Sequence, residues 1–232
     1  MESQITAGIP LTLDEANPSS SLGALYVAPD GIRRYRYARA GANLVVGNLL
    51  QGPTEDTADE DIAGTVQAIG TTALVTAAMT VTANQYAGGY VVVTVTPGLG
   101  TMYRIHSHAA FTGAAATFQL EEPLTVATTA TTRLDFVANP FNGVLQWVAT
   151  PTAVVTGVAV NDITSGQYGW IAVGGPASCL SDGGGIAVGA AVSGSNATAG
   201  AVETGVAGQA QIGSAMSGIA ANENGLVWLN IS

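Results

Sequence analysis

The chain contains no lysine: its six cations are all arginines, set against sixteen acidic residues, for a formal net charge of -10. A broad basic surface is therefore unavailable, and a phosphate backbone would repel the protein as a whole, which argues against direct binding of nucleic acid. Charge of either sign is scarce, at 9% of residues, where an ordinary soluble domain carries about 25%. Thr, Ser, Asn and Gln must cover the surface instead. With four Phe and three Trp in 232 residues, the 47% hydrophobic content rests on Ala and Val, and a core thin in aromatics is expected. The lone cysteine, Cys179, excludes an intrachain disulfide; it reads as a small buried side chain on a strand, with an intermolecular or reactive thiol as the alternative. No apolar run reaches the ~18 residues of a membrane span. The opening MESQITAGIPLTLDEANP has neither a positive stretch nor an apolar core, so no secretory signal is expected, and without one the acceptor triplet at Asn196 carries no weight.

What is present is a series of short runs rich in Val, Ile, Thr and Tyr, cut by Gly, Asp, Asn and Ser. The 30 glycines and the connections NDITSG, GGP and DGGG leave no room for crossover helices between parallel strands. The expected fold is all-β, an antiparallel barrel or sandwich of short strands, in two β subdomains behind an extended N-terminal arm. The boundaries read as an arm over 1–24, a β domain over 25–150 carrying an arginine strip and an acidic loop, and a smaller barrel-like domain over 151–232. The arm, with NPSSS at 17–21, is either a frayed end or a segment that becomes ordered only against a partner.

Asp30-Gly31 marks a tight turn, followed by a strand from Ile32 to Tyr37. Alternation places Arg34 and Arg36 on one side and Arg33, Tyr35 and Tyr37 on the other, with Arg39 continuing the latter. Four of the six arginines thus fall within seven residues, a band suited to forked pairing with carboxylates. Nearby, Glu55, Asp56, Asp59, Glu60 and Asp61 crowd five carboxylates into seven residues, either as a solvated loop or to be met by arginines of another segment or subunit. Thr57 with Glu60 forms a potential capping box for a short helical turn using Ile62, Val66 and Ile69. Tyr90 to Val95 and Met102 to His106 read as a hairpin across Pro-Gly-Leu-Gly, Asn142-Gly143 as a turn, and Trp147, Trp170 and Trp228 as large structural anchors.

A catalytic set is absent. His106 and His108 lie two apart with Arg104, on one strand face, and Glu121 or Glu122 would have to complete a metal site that no spacing demands. Those two glutamates are adjacent, which on a strand points them to opposite faces, the wrong geometry for paired acid and base. The nucleophile elbow is missing, and Asp182 in SDGGG lacks the alternating acids of a calcium loop. No enzymatic activity, cofactor or metal is expected.

The phrases DGIRRYRYARAGANLVVGNLLQG (30–52), VTANQYAGGYVVV with TMYRIHSH (81–108), LEEPLTV (120–126), NPFNGV (139–144) and GQYGWIAVGGPASCLSDGGGIAVG (166–189) resemble capsid decoration, or cement, proteins from the head modules of tailed bacteriophages. IGSAMSGIAANENGLVWLNI also resembles the last strands of a wider group of small phage β-barrel proteins. The resemblance implies an all-β protein on the outer surface of the virion capsid, bound to the major capsid protein, often as a homotrimer, bracing the shell against DNA pressure, with neither nucleic acid nor membrane as a direct partner. The chain is larger than the smallest cement proteins, which leaves room for a head fibre or minor tail component. On the decoration reading, Arg33, Arg34, Arg36 and Arg39, with Tyr35 and Tyr37, form the capsid or subunit interface, and the arm lies across neighbouring subunits. On an adhesion reading, the loops TANQYAGG and SGSNATAG would reach a host surface.

Overall fold

Runs of β-branched and aromatic residues fit a pleated, half-buried surface, and among the described residues they form sixteen strands and a single 3₁₀ turn at Thr57–Asp59. A computed structural model describes residues 11–231. The strands are β1 (Leu25–Val27), β2 (Arg34–Ala40), β3 (Leu49–Gln51), β4 (Ile62–Ala63), β5 (Ala73–Val81), β6 (Tyr90–Val95), β7 (Met102–His108) and β8 (Phe111–Leu120). They continue with β9 (Arg133–Val137), β10 (Asn142–Gln146), β11 (Val155–Ala159), β12 (Tyr168–Leu180), β13 (Ala191–Gly194), β14 (Val202–Thr204), β15 (Gln211–Ala215) and β16 (Asn224–Asn230). The reading of an all-β fold, a barrel or sandwich of short strands, therefore holds.

The chain divides into two compact units, one made of Met1–Thr54 with Pro140–Ser232 and the other of Glu55–Asn139. This differs from the expected boundaries at 24/25 and 150/151. The cause is pairing: β10 runs beside both β2 and β3, so residues on either side of the 55–139 segment belong to one sheet.

In the first unit the strand order is β1-β2-β10-β3-β11-β12-β16-β15-β13-β14, and a further β2–β12 pairing closes β2, β10, β3, β11 and the start of β12 into a five-stranded ring. Closure removes the free edges that such short strands would otherwise expose. The ring encloses Ala38, Ala40, Leu50, Val144, Ala159, Ile171 and Val173. Its strands are buried on both faces, because the alternate residues Tyr35, Tyr37, Leu49, Val158, Trp170 and Ala172 join a second, larger core. The second half of β12 leads into the β16-β15-β13-β14 sheet, and a parallel bridge between Ser181 and Val202 brings β14 back to the end of β12.

Two signals read as breaks prove to be strand irregularities. GGP at 174–176 lies inside the thirteen-residue β12, whose register against β2 shifts between Ala172 and Gly174; Gly175 takes φ +76 there, with an ideal Cβ only 2.6 Å from the Ile32 carbonyl oxygen. Asn142-Gly143 begins β10 rather than turning the chain, and Gly143, at φ +94, sits where the parallel β10–β2 register shifts.

The second unit is a six-stranded sheet ordered β4-β9-β6-β7-β8-β5. A Gly64–Thr76 bridge links its two ends, leaving it nearly closed. Leu74, Val91, Ile105, Phe118, Leu134 and Phe136 fill its interior. The β6–β7 hairpin forms as expected. Asp56 rather than Thr57 caps the 3₁₀ turn, and Val66 and Ile69 are exposed instead of lining a helix.

Candidate interaction surface

The arginine band begins at an Asx turn. Asp30 Oδ1 accepts from the Ile32 and Arg33 amides at 2.9 and 3.0 Å, and Oδ2 accepts from Arg33 Nε at 2.6 Å. Those two amides, with the Arg33 side chain, hold the Asp30 carboxyl down at about 2. From there β2 alternates as expected, but its tyrosines point inward. Tyr35 and Tyr37 are buried, their rings close to those of Tyr26, Tyr168 and Trp170 at 5.2–6.1 Å between centroids. This corrects their place at an interface: the phenol rings are too large to sit beside a closed ring of strands without filling its outer core.

The arginines also divide. Arg36 Nη1 donates to the Gly23 carbonyl at 2.8 Å, and its guanidinium lies 5.7 Å above the Phe141 ring, so it is committed within its own unit. Arg33, Arg34 and Arg39 are exposed. Arg34 runs across Gly174, where a Cβ would stand 2.7 Å from its Nε, and Arg39 Nε makes a long 3.4 Å bond to the Gly166 carbonyl. At about 3.3 Å per residue, Arg34 and Arg39 stand roughly 16 Å apart along β2. The exposed cations of this band therefore form two sites at the ends of one strand.

Residues 11–24 are fastened to the same unit, so this part of the expected arm is neither a frayed end nor a segment that waits for a partner to become ordered. Glu15 exchanges backbone hydrogen bonds with Tyr168 at 2.9 and 3.1 Å. Asp14 accepts from the Thr164 amide and hydroxyl at 3.1 and 2.8 Å. The Tyr37 hydroxyl donates to Glu15 Oε1 and accepts from the Ser19 amide. Partial burial opposes ionisation of Glu15, but the bonds from Ser19 and Tyr37 outweigh it and hold the carboxyl below its ordinary range. Leu11, Leu13 and Leu22 pack on the larger core. Residues 1–10 of the expected arm lie outside the described residues.

In the second unit, the two histidines do not share a face. The β7–β8 register shifts between Ile105 and Ser107, so His106 stays exposed while His108 turns into the core. A bulge of this kind breaks the two-residue period on which a shared face depends. His108 Nε2 accepts from the Tyr86 amide at 3.0 Å and Nδ1 faces the Ala109 carbonyl at 2.9 Å, which assigns the proton to Nδ1. The Tyr86 hydroxyl in turn donates to Asp59. Of the five crowded acids, Asp59 alone is buried; Asp61 pairs with Arg133 at 3.5 Å. Glu121 and Glu122 both reach Arg104, one at its guanidinium and one at its amide, each at 3.3 Å. They lie in the bend after β8, where the alternation of a strand no longer applies. Among the described residues no three His, Cys, Asp or Glu side chains gather as a metal site.

Burial pushes the Asp59 carboxyl up and the His108 imidazole down. A depressed histidine stabilises the fold fully above its unfolded value of about 6.5, and that contribution is lost as pH falls through the folded value. Asp59 has the opposite sign: its contribution is full below its unfolded value of about 3.9 and is lost as pH rises through the folded one. The variant His108→Gln, which keeps an acceptor but cannot take up the charge, separates the two. Melting curves at pH 7.5, 6.5 and 5.5 should show the stability advantage of wild type over the variant shrinking as pH falls; a gap independent of pH refutes a neutral buried His108.

Of the three tryptophans, Trp147 and Trp170 are anchors. Trp147 Nε1 donates to the Ser195 carbonyl at 3.0 Å in a buried setting. Trp228 corrects the expectation, being 43% exposed: on β16, Val227 and Leu229 face the core and Leu226, Trp228 and Asn230 face solvent. Cys179 lies buried on β12, its thiol pushed up to about 12 by desolvation, which leaves it unreactive. Asp182 accepts from the Gly184 amide at 2.9 Å and the Ser195 hydroxyl at 3.1 Å, a turn-closing role. The sequence offers no sign of the Asp59–Tyr86–His108 chain, because its members are far apart in the chain and meet only through a bulge. No helix of the described residues is long and apolar enough to cross a membrane. Compared with models of known families, with curated proteins and with solved structures, the chain gives no significant match.

Proposed function

We propose that the chain is a decoration protein of a tailed-phage capsid, binding the outside of the shell as a homotrimer and bracing it through contacts between subunits. The observation that carries this reading is the presence of the exposed arginines Arg34 and Arg39 on one strand, with Arg33 beside them exposed but already paired with Asp30, in a chain whose formal charge is -10. An exposed guanidinium fixed to a rigid strand is suited to pairing with a carboxylate on a partner, and the acidic remainder keeps free copies apart in solution. One closed ring and one nearly closed sheet of short strands supply the stiffness that a brace needs. The resemblance of the sequence phrases to cement proteins points the same way. The loops that an adhesion module would extend keep exposed tips at 82–84 and 196–199 over buried bases at Tyr86 and Ser195, so the decoration reading is carried by the arginines and not by the loops.

Electron cryomicroscopy of the particle whose genome encodes the chain should show it on the outer shell at regular lattice positions. Replacing Arg33, Arg34 and Arg39 together by Gln should reduce occupancy on purified heads at least about tenfold without altering the melting temperature by more than a few degrees. Density confined to the tail, or full occupancy by the triple variant, overturns the proposal.

A further inference from the structure

The solvent face of the β12–β16–β15 sheet carries an open depression of about 530 Å³, lined by Gln211, Gly213, Ser214, Trp228 and Asn230. That volume falls within the roughly 300–1,000 Å³ typical of small-molecule sites. Register places Trp228 directly between Pro176 on β12 and Ser214 on β15, so the indole stands in the middle of a sheet. Its neighbour on the same face, Leu226, is 47% exposed. A large aromatic left at the surface while its alternate neighbours are buried is the informative exception to ordinary patterning.

We infer that this depression binds a neutral saccharide, with Trp228 as the stacking platform. A pyranose ring presents an apolar face of C–H bonds and a rim of hydroxyls. An exposed indole matches the face, and the amides of Gln211 and Asn230 with the Ser214 hydroxyl supply donors and acceptors for the rim. Gly213 adds no side chain to obstruct the floor. No charged residue lines the depression, which disfavours uronic acids, sialic acids and phosphates. The site lies on a sheet face, where no unpaired backbone row exists for strand addition by a peptide. This inference does not rest on the capsid role and can fail or hold independently of it.

The test is equilibrium titration of the full chain with maltohexaose, cellohexaose and a β-linked N-acetylglucosamine hexamer, with oligogalacturonate as the charged control. Because Trp147 and Trp170 are 3% and 2% exposed, a change in tryptophan emission reports Trp228. At least one neutral oligomer should bind saturably, with a dissociation constant on the order of 0.1–1 mM for so open a site. Trp228→Ala should weaken it by at least about tenfold and Gln211→Ala or Asn230→Ala by about threefold, while Trp228→Phe retains part of the affinity. An unchanged melting temperature in Trp228→Ala excludes a folding defect, and Trp228→Phe keeps the test open if alanine unfolds the chain. Absence of saturable binding to every neutral oligomer, preference for oligogalacturonate, or wild-type affinity in Trp228→Ala each overturns the inference. So does a shift of Trp228→Ala from oligomer to monomer in sedimentation with no saccharide bound by wild type, which would assign the patch to a second copy.

Discussion

Replacing Trp170 by alanine should lower the stability of the first unit by about 3–5 kcal/mol, as expected for removing a fully enclosed large aromatic side chain. The indole is 2% exposed, lies 5.2 Å from the Tyr37 ring and 6.0 Å from that of Tyr26, and sits directly opposite Tyr37 in the β12–β2 pairing that closes the five-stranded ring. A cavity there removes contacts from both strands at the closure point. The surrounding aromatics are held by the ring itself, so little collapse can compensate. Urea denaturation followed by far-ultraviolet circular dichroism measures the loss, and Trp170→Phe should recover part of it. A loss under about 1 kcal/mol would contradict the burial of this side chain, since such a value belongs to surface positions.

A comparably large loss is expected from a single added methyl group. At Gly213 an ideal Cβ would stand 1.9 Å from the Trp228 carbonyl oxygen and 3.2 Å from the Leu229 Cα. Both are backbone atoms in the β15–β16 ladder, so no rotamer change relieves the clash and the strands must separate. Gly213→Ala should cost about 3 kcal/mol or more, at the upper end of overpacking effects. Hydrogen exchange should quicken across 211–215 and 226–230 first. Gly208→Ala is the control: φ is +90 there but nothing lies within 4 Å of the added atom, so only the conformational strain of about 1–2 kcal/mol applies. Equal losses at the two positions would show that crowding at Gly213 is not the cause.

The strand content and the β6–β7 hairpin were legible because they depend on local composition and turn chemistry. The direction in which a strand faces was harder. The two-residue period of β2 is plain in RYRYARA, yet both its faces are buried in part, one by Tyr35 and Tyr37 and the other by Ala38 and Ala40. Alternation alone therefore cannot separate an interface from a core. LVWLNI has the same ambiguity, since Leu226 and Trp228 are as apolar as Val227 and Leu229, and only the sheet decides which pair is covered. His108 escaped because one inserted residue inverts parity downstream of a bulge. The arginine strip was legible as a cluster, but its separation into a committed Arg36 and three surface groups depends on Gly23, Phe141, Gly166 and Gly174, which are distant in sequence.

The 55–139 unit leaves and re-enters the first unit beside a single strand pair: Leu50 is opposite Gln146 and Gln51 opposite Leu145, and a Cβ at Gly52 would be 3.4 Å from the Pro140 carbonyl oxygen. Joining β3 to β10 therefore requires closing a long stretch of chain, and the entropy lost grows with the length of the flexible loop. Once the inserted barrel has formed, that stretch is no longer a coil and its two ends are already held by their own sheet. Where the inserted sheet forms first, this connectivity makes it a folding template, an internal clasp that shortens the search by which the split unit finds its own strands.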